Sequence, residues 1–162
     1  MLSHQEKLQR EWGGRASTID QWLKDRQALL ITFCALARPE KKSATELTES
    51  AMVNFCNQLM DYLSAGHFEI YDMLTSDDKA GLRLRQQVYP ELAVTTDQAL
   101  AFNDKYSEFD ASCYADDLTS ALDKLGEMLE TRFALEDKLI RHMLEKHGAP
   151  QIEKAQQSQA ES

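Results

Sequence analysis

Apolar side chains recur every three or four positions along most of the chain, the signature of helices that bury one face. The first clear run is Ile19, Trp22, Leu23, Leu29, Leu30, Phe33 and Leu36. Ser17 or Thr18 stands where an N-cap belongs and Pro39 follows the last apolar residue, so the pattern predicts a helix over 17–38. Upstream, Leu2, Leu8 and Trp12 predict at most a short helix in residues 1–15, closed by Gly13-Gly14.

Ser43-x-x-Glu46 has the form of a capping box and opens a second helical region reaching Leu74. Gly66 lies inside that region, so one long helix and two shorter ones both fit. Thr75-Ser76-Asp77-Asp78 is a polar break. After it, a short helix to Tyr89 and a separate one from Pro90 to about Phe109 are expected, because proline suits a first helical turn. The last helix follows Asp116 or Asp117 and ends at Gly148 and Pro150. With no strand-like alternation, the chain reads as all-α: one antiparallel helical-bundle domain over 1–148, and a polar tail over 149–162 expected to be disordered.

The seams of these helices carry polar residues at mid-length. The stripe Leu118, Leu122, Leu125, Leu129 continues onto Arg132, Glu136, Ile140 and Met143. Arg26 stands on the first helix's stripe, between Trp22 and Leu30, and His67 on the second's, between Leu63 and Ile70. An unpaired buried charge costs several kcal/mol, so these groups are expected to meet one another or to line a wet cavity. A network that fixes helix register is the simpler account, and a ligand or catalytic site the sharper one.

Composition narrows the function. Gly and Pro number only 6 and 3, which favours long helices. Net charge is −9 and unevenly spread: residues 1–42 hold eight basic and five acidic residues, whereas Gln86–Asp137 holds three and twelve. Such a field repels nucleic acid and attracts basic partners, so direct nucleic-acid binding is not expected. Cys34, Cys56 and Cys113 show no metal-ligand or redox spacing, and no apolar run is long enough to span a membrane, so a reduced, cytoplasmic protein is expected. Glu-x-x-His, the signature of di-iron bundles, is missing, as are phosphate-binding loops and nucleophile elbows. No metal, no cofactor and no enzymatic activity are expected.

Beside the second seam runs a stripe of Asp61, Ser64, Ala65, Phe68 and Asp72. A lone Phe in such a stripe more often packs on a neighbouring helix. Small residues and terminal carboxylates around it also suit a docking site, in which an apolar anchor is buried while acids steer a basic partner.

The segments Asp61-Tyr-Leu-Ser-Ala-Gly-His-Phe68 and Arg132-Phe-Ala-Leu-Glu-Asp-Lys-Leu-Ile140, with Ile19-Asp20-x-Trp22-Leu23-x-x-Arg26, resemble the Rsd/AlgQ family of anti-sigma factors over residues 16–144. The resemblance implies a helical bundle that binds region 4 of the housekeeping sigma-70 subunit of RNA polymerase. Sequestering that subunit would favour alternative sigma factors in stationary phase. It carries over Asp61, Ser64 and Phe68, with Trp22 and Leu23, as partner-binding residues. Arg26, His67, Arg132, Glu136 and Asp137 are carried over to an inner polar cavity. A monomer forming a 1:1 complex is expected. Another protein partner, in place of sigma or in addition to it, and a small-ligand or enzymatic bundle using the cavity stand as alternatives.

Overall fold

The computed structural model describes residues 4–37, 48–75, 78–107 and 117–148. Every described element is helical. Helix α1 spans His4–Ala37, α2 spans Thr48–Ala65, and a π-helical turn at Gly66–Ile70 joins α2 to the short α3 at Tyr71–Thr75. Helix α4 spans Lys79–Tyr106, α5 spans Leu118–Met143, and a second π turn, Leu144–Gly148, closes α5.

Cross-helix contacts give the topology. Phe33 meets Phe55 while Trp22 stacks on Tyr62, so α1 and α2 run antiparallel. Phe55 meets Phe102 and Tyr71 meets Tyr89, which sets the α2–α3 rod antiparallel to α4. Arg132 reaches Thr95 while Lys105 reaches Asp117, and so α4 opposes α5. Arg26 meets Asp137 and Phe33 packs near Gly126, closing the ring from α5 back to α1. The result is an up-down-up-down four-rod bundle. Leu29, Met52, Phe55, Leu59, Ala99, Leu129 and Leu139 fill its core.

Two expected boundaries differ from the observed ones. Gly13-Gly14 does not end a helix; α1 runs through it, since glycine costs only about 1 kcal/mol relative to alanine in a helix. Pro90 does not start one either and lies inside α4. Pro90 and Gln86, whose carbonyl loses its helical partner, are both on the exposed face, where water can take the lost bond. At Gly66 the two open alternatives resolve into one continuous rod carrying a π turn. The expected capping box at Ser43 and the tail over 149–162 lie outside the described residues.

The junction into α4 is tightly built. Asp78 caps the helix by accepting from Gly81 N–H at 2.6 Å. The same carboxylate holds Lys146 Nζ at 2.7 Å and lies 3.3 Å from His142 Nε2, tying the start of α4 to the end of α5. A Cβ on residue 81 would come within 2.7 Å of the Asp78 carboxylate and 2.9 Å of the Thr75 carbonyl, hence the glycine.

Candidate functional site

The Asp61–Asp72 stripe forms an outward surface of α2 and the π turn. Asp61 and Ser64 are exposed, and Phe68 stands 80% exposed, the most exposed large apolar side chain among the described residues. Phe68 does not pack on a neighbouring helix; its nearest aromatic companion is His67, edge-on at 4.9 Å. Carboxylates surround it along the rod: Asp61 before, Glu69 beside and Asp72 after, the last paired with Arg85 at 3.1 Å. Alongside lies an open groove of about 650 Å³ between α1 and the turn, lined by Asp20, Gln21, Asp25, Ala65 and Glu69 among others. An exposed ring set among acids can bury apolar area against a partner whose own charge is positive.

The geometry sets most of Trp22 in the core and puts His67 outside it. Trp22 is 2% exposed, stacks on Tyr62 at 5.0 Å and donates to the Tyr62 carbonyl at 3.5 Å. Its ring belongs to the core and also lines the groove beside the turn, and Leu23 next to it is half-buried against the core. His67 is exposed and not interior. Uniform helical spacing from Leu63 to Ile70 would turn it inwards, but the π turn takes up an extra residue and sets Gly66 on the inner face instead.

Behind this surface the polar seam residues converge. Glu136, fully buried, accepts from Tyr62 Oη at 2.5 Å on one oxygen and from Tyr71 Oη on the other. Arg26 donates to the Tyr62 hydroxyl at 2.9 Å, to Glu136 at 3.2 Å and to Asp137 at 2.7 Å. Arg132 donates to the Tyr71 hydroxyl at 2.7 Å and to Thr95 and Thr96 on α4 at 3.0 and 2.9 Å. The structure thus brings Arg26, Arg132 and Glu136 together, with Asp137 half-exposed at the rim. Among the described residues these groups and the two phenols form one connected hydrogen-bond network, in which Tyr62, Tyr71, Arg132 and Glu136 are each at most 2% exposed.

Each phenol oxygen accepts from an arginine and donates its hydrogen to Glu136, so both carboxylate oxygens act as acceptors. Burial pushes the Glu136 carboxyl upwards, while Arg132, the two phenols and Arg26 oppose that shift. Burial and the Glu136 charge drive both phenol pKa values far above the ordinary tyrosine range. Burial also works against the Arg26 charge, but Tyr62, Asp137 and Glu136 outweigh it and keep the guanidinium protonated.

Tyr62, Tyr71, Thr95 and Thr96 were not singled out from the sequence. The two tyrosines sit next to seam positions 63 and 70, and a hydroxyl there was the available signal. Nothing comparable marks Thr95 and Thr96, whose role depends on where Arg132 arrives from another helix.

The fold and the exposed face define an all-helical protein that presents an acidic, aromatic-bearing surface. The family described as regulator of RNA polymerase sigma(70) subunit, Rsd/AlgQ, matches residues 1–144, and the chain belongs to it. It is 40% identical to the regulator of sigma D of Yersinia enterocolitica over 150 residues, which cover 87% of this chain and 89% of that one. It is 37% identical to that of Yersinia pseudotuberculosis, covering 94% of both chains. Against the regulator of sigma D of Sodalis glossinidius it is 40% identical, covering 90% of this chain and all of the other.

Proposed function

We propose that the protein is an anti-sigma factor that binds region 4 of the housekeeping sigma-70 subunit as a 1:1 complex. Held this way, sigma is withheld from RNA polymerase and alternative sigma factors compete better, with stationary phase the natural occasion. Asp61, Ser64 and Phe68 form the centre of contact. The observation that carries the reading is the exposure of Phe68 among Asp61, Glu69 and Asp72, on a chain whose family regulates sigma-70. By the family resemblance region 4 is a basic helix-turn-helix module that normally binds DNA, and an acidic face complements it. The reading places the protein in the cytoplasm and requires no catalysis. Among the described residues no helix is long and apolar enough to cross a membrane. The interior polar groups bond one another, which favours a structural role for them over a small-ligand site.

The test is isothermal titration of the full chain with purified sigma region 4. Saturable 1:1 binding that weakens in Asp61→Ala and Phe68→Ala variants of unchanged fold supports the reading. Absence of binding at low ionic strength overturns it.

A further inference from the structure

Tyr62 and Tyr71 stand nine residues apart on one helical rod, yet both hydroxyls bond the single carboxylate of Glu136. In an uninterrupted α-helix that separation is about two and a half turns, so the two rings would point in opposite directions. The π turn between them removes the conflict. Tyr71 N–H bonds the Gly66 carbonyl, an i→i+5 closure, and the extra residue it takes up leaves the two side chains about 80° apart, as if eight residues separated them. Gly66 belongs to the same arrangement: a Cβ there would lie 3.2 Å from the Tyr71 ring.

We propose that Glu136, held by Arg26 and Arg132, is a clamp whose grip on Tyr62 and Tyr71 selects the π turn over α-helix, and that the turn in turn aims Phe68 at the partner. Tyr62, Tyr71 and Glu136 are therefore positioning residues for docking, although both tyrosines are only 2% exposed and Glu136 is fully buried. Phe68 lies inside the five residues that would rewind if the clamp opened. Its direction relative to Asp61 and Ser64, which lie before the turn, thus depends on contacts made in the core. Arg132 extends the clamp to α4 through Thr95 and Thr96, so three rods brace the turn from within.

The link from clamp to docking rests on the sigma reading above, whereas the clamp itself does not. Both are tested with isotope-labelled full chain by NMR scalar couplings across hydrogen bonds, together with titration against sigma region 4. The wild-type protein is expected to show coupling between the Gly66 carbonyl carbon and the Tyr71 amide nitrogen. In Tyr62→Phe and Tyr71→Phe, with cooperative unfolding retained, that coupling should give way to one from the His67 carbonyl, and binding should fall at least tenfold. Phe68→Ala should weaken binding while leaving the Gly66 coupling in place. The clamp is overturned if the wild type lacks the coupling or if both tyrosine variants keep it. If the coupling switches but affinity holds, the link to docking is wrong. A wild type that shows the coupling and its switch but no affinity for region 4 sinks the sigma reading alone. Should Tyr71→Phe fail to fold, Tyr62→Phe, which leaves the Arg132–Tyr71 bond in place, decides the question.

Discussion

Arg132 and Glu136, one turn apart on α5, face each other at 3.4 Å with 1% and 0% of their side chains exposed. Pairing is what permits two charges to lie in the middle of a hydrophobic seam. Glu136→Ala would leave Arg132 buried without its counter-ion and two phenols without acceptors. We expect a loss of about 3–5 kcal/mol in unfolding free energy, read from urea denaturation. A loss below about 1 kcal/mol would show that the network contributes little to holding the bundle together.

Phe68 presents the opposite case. Being so exposed, it holds little of the fold, so Phe68→Ala should change stability by no more than about 0.5 kcal/mol. As an interface anchor it should cost about 2 kcal/mol or more of affinity for sigma region 4, roughly 30-fold. Equal and small effects on both measurements would remove Phe68 from the contact.

Association should also depend on salt. The Debye length falls from about 30 Å at 0.01 M to about 10 Å at 0.1 M, so a steered on-rate should drop across that range while the off-rate changes less. Stopped-flow measurement of both rates checks this, and a flat on-rate contradicts steering by the acidic face.

The Asp78 pin gives a pH signature. The bond from Lys146, the Gly81 N–H and the His142 contact hold its carboxyl down at about 2, below the ordinary 3.8. A carboxyl lowered in the folded state adds stability above its unfolded pKa and loses it as the pH falls through the folded value. Thermal unfolding of the wild type should therefore show an Asp78-dependent decline between about pH 4 and pH 2. The difference between wild type and Asp78→Asn should shrink over that window. A constant difference from pH 7 to pH 2 would exclude the pin as its source.

The cysteines should separate by reactivity. Burial pushes the Cys56 thiol up to about 11, whereas Cys34 is exposed. Alkylation of the native protein, followed by peptide mass spectrometry, should label Cys34 quickly and Cys56 only at the rate of unfolding. Equal rates at the two positions would mean that the α2 core opens readily.

Much of this architecture was legible beforehand, and the α5 stripe shows why. Leu122, Leu125, Leu129, Arg132, Glu136 and Met143 are all buried, as their spacing on one helix implies. Spacing fails where hydrogen bonding departs from the α pattern. Counting at α periodicity puts His67 on the inner face, whereas the π turn leaves it outside. Pro90 and Gly13-Gly14 look like boundaries in the sequence because their local preferences oppose helix, yet both lie inside helices. Long helices absorbed both, since a local cost of a few kcal/mol is outweighed when the rest of the helix is held.

The amino-acid pattern alone determined the all-helical class, the inward charges of α5 and the acidic field. These follow from periodicity and composition, which each helix carries within itself. Tertiary structure decided that Glu136 would be met by Tyr62 and Tyr71, that Arg132 would reach Thr95 and Thr96, and that the rod would widen into a π turn at Gly66. A single helix records which way a side chain faces; only assembled helices determine what it meets, and here that meeting selects the backbone geometry behind Phe68.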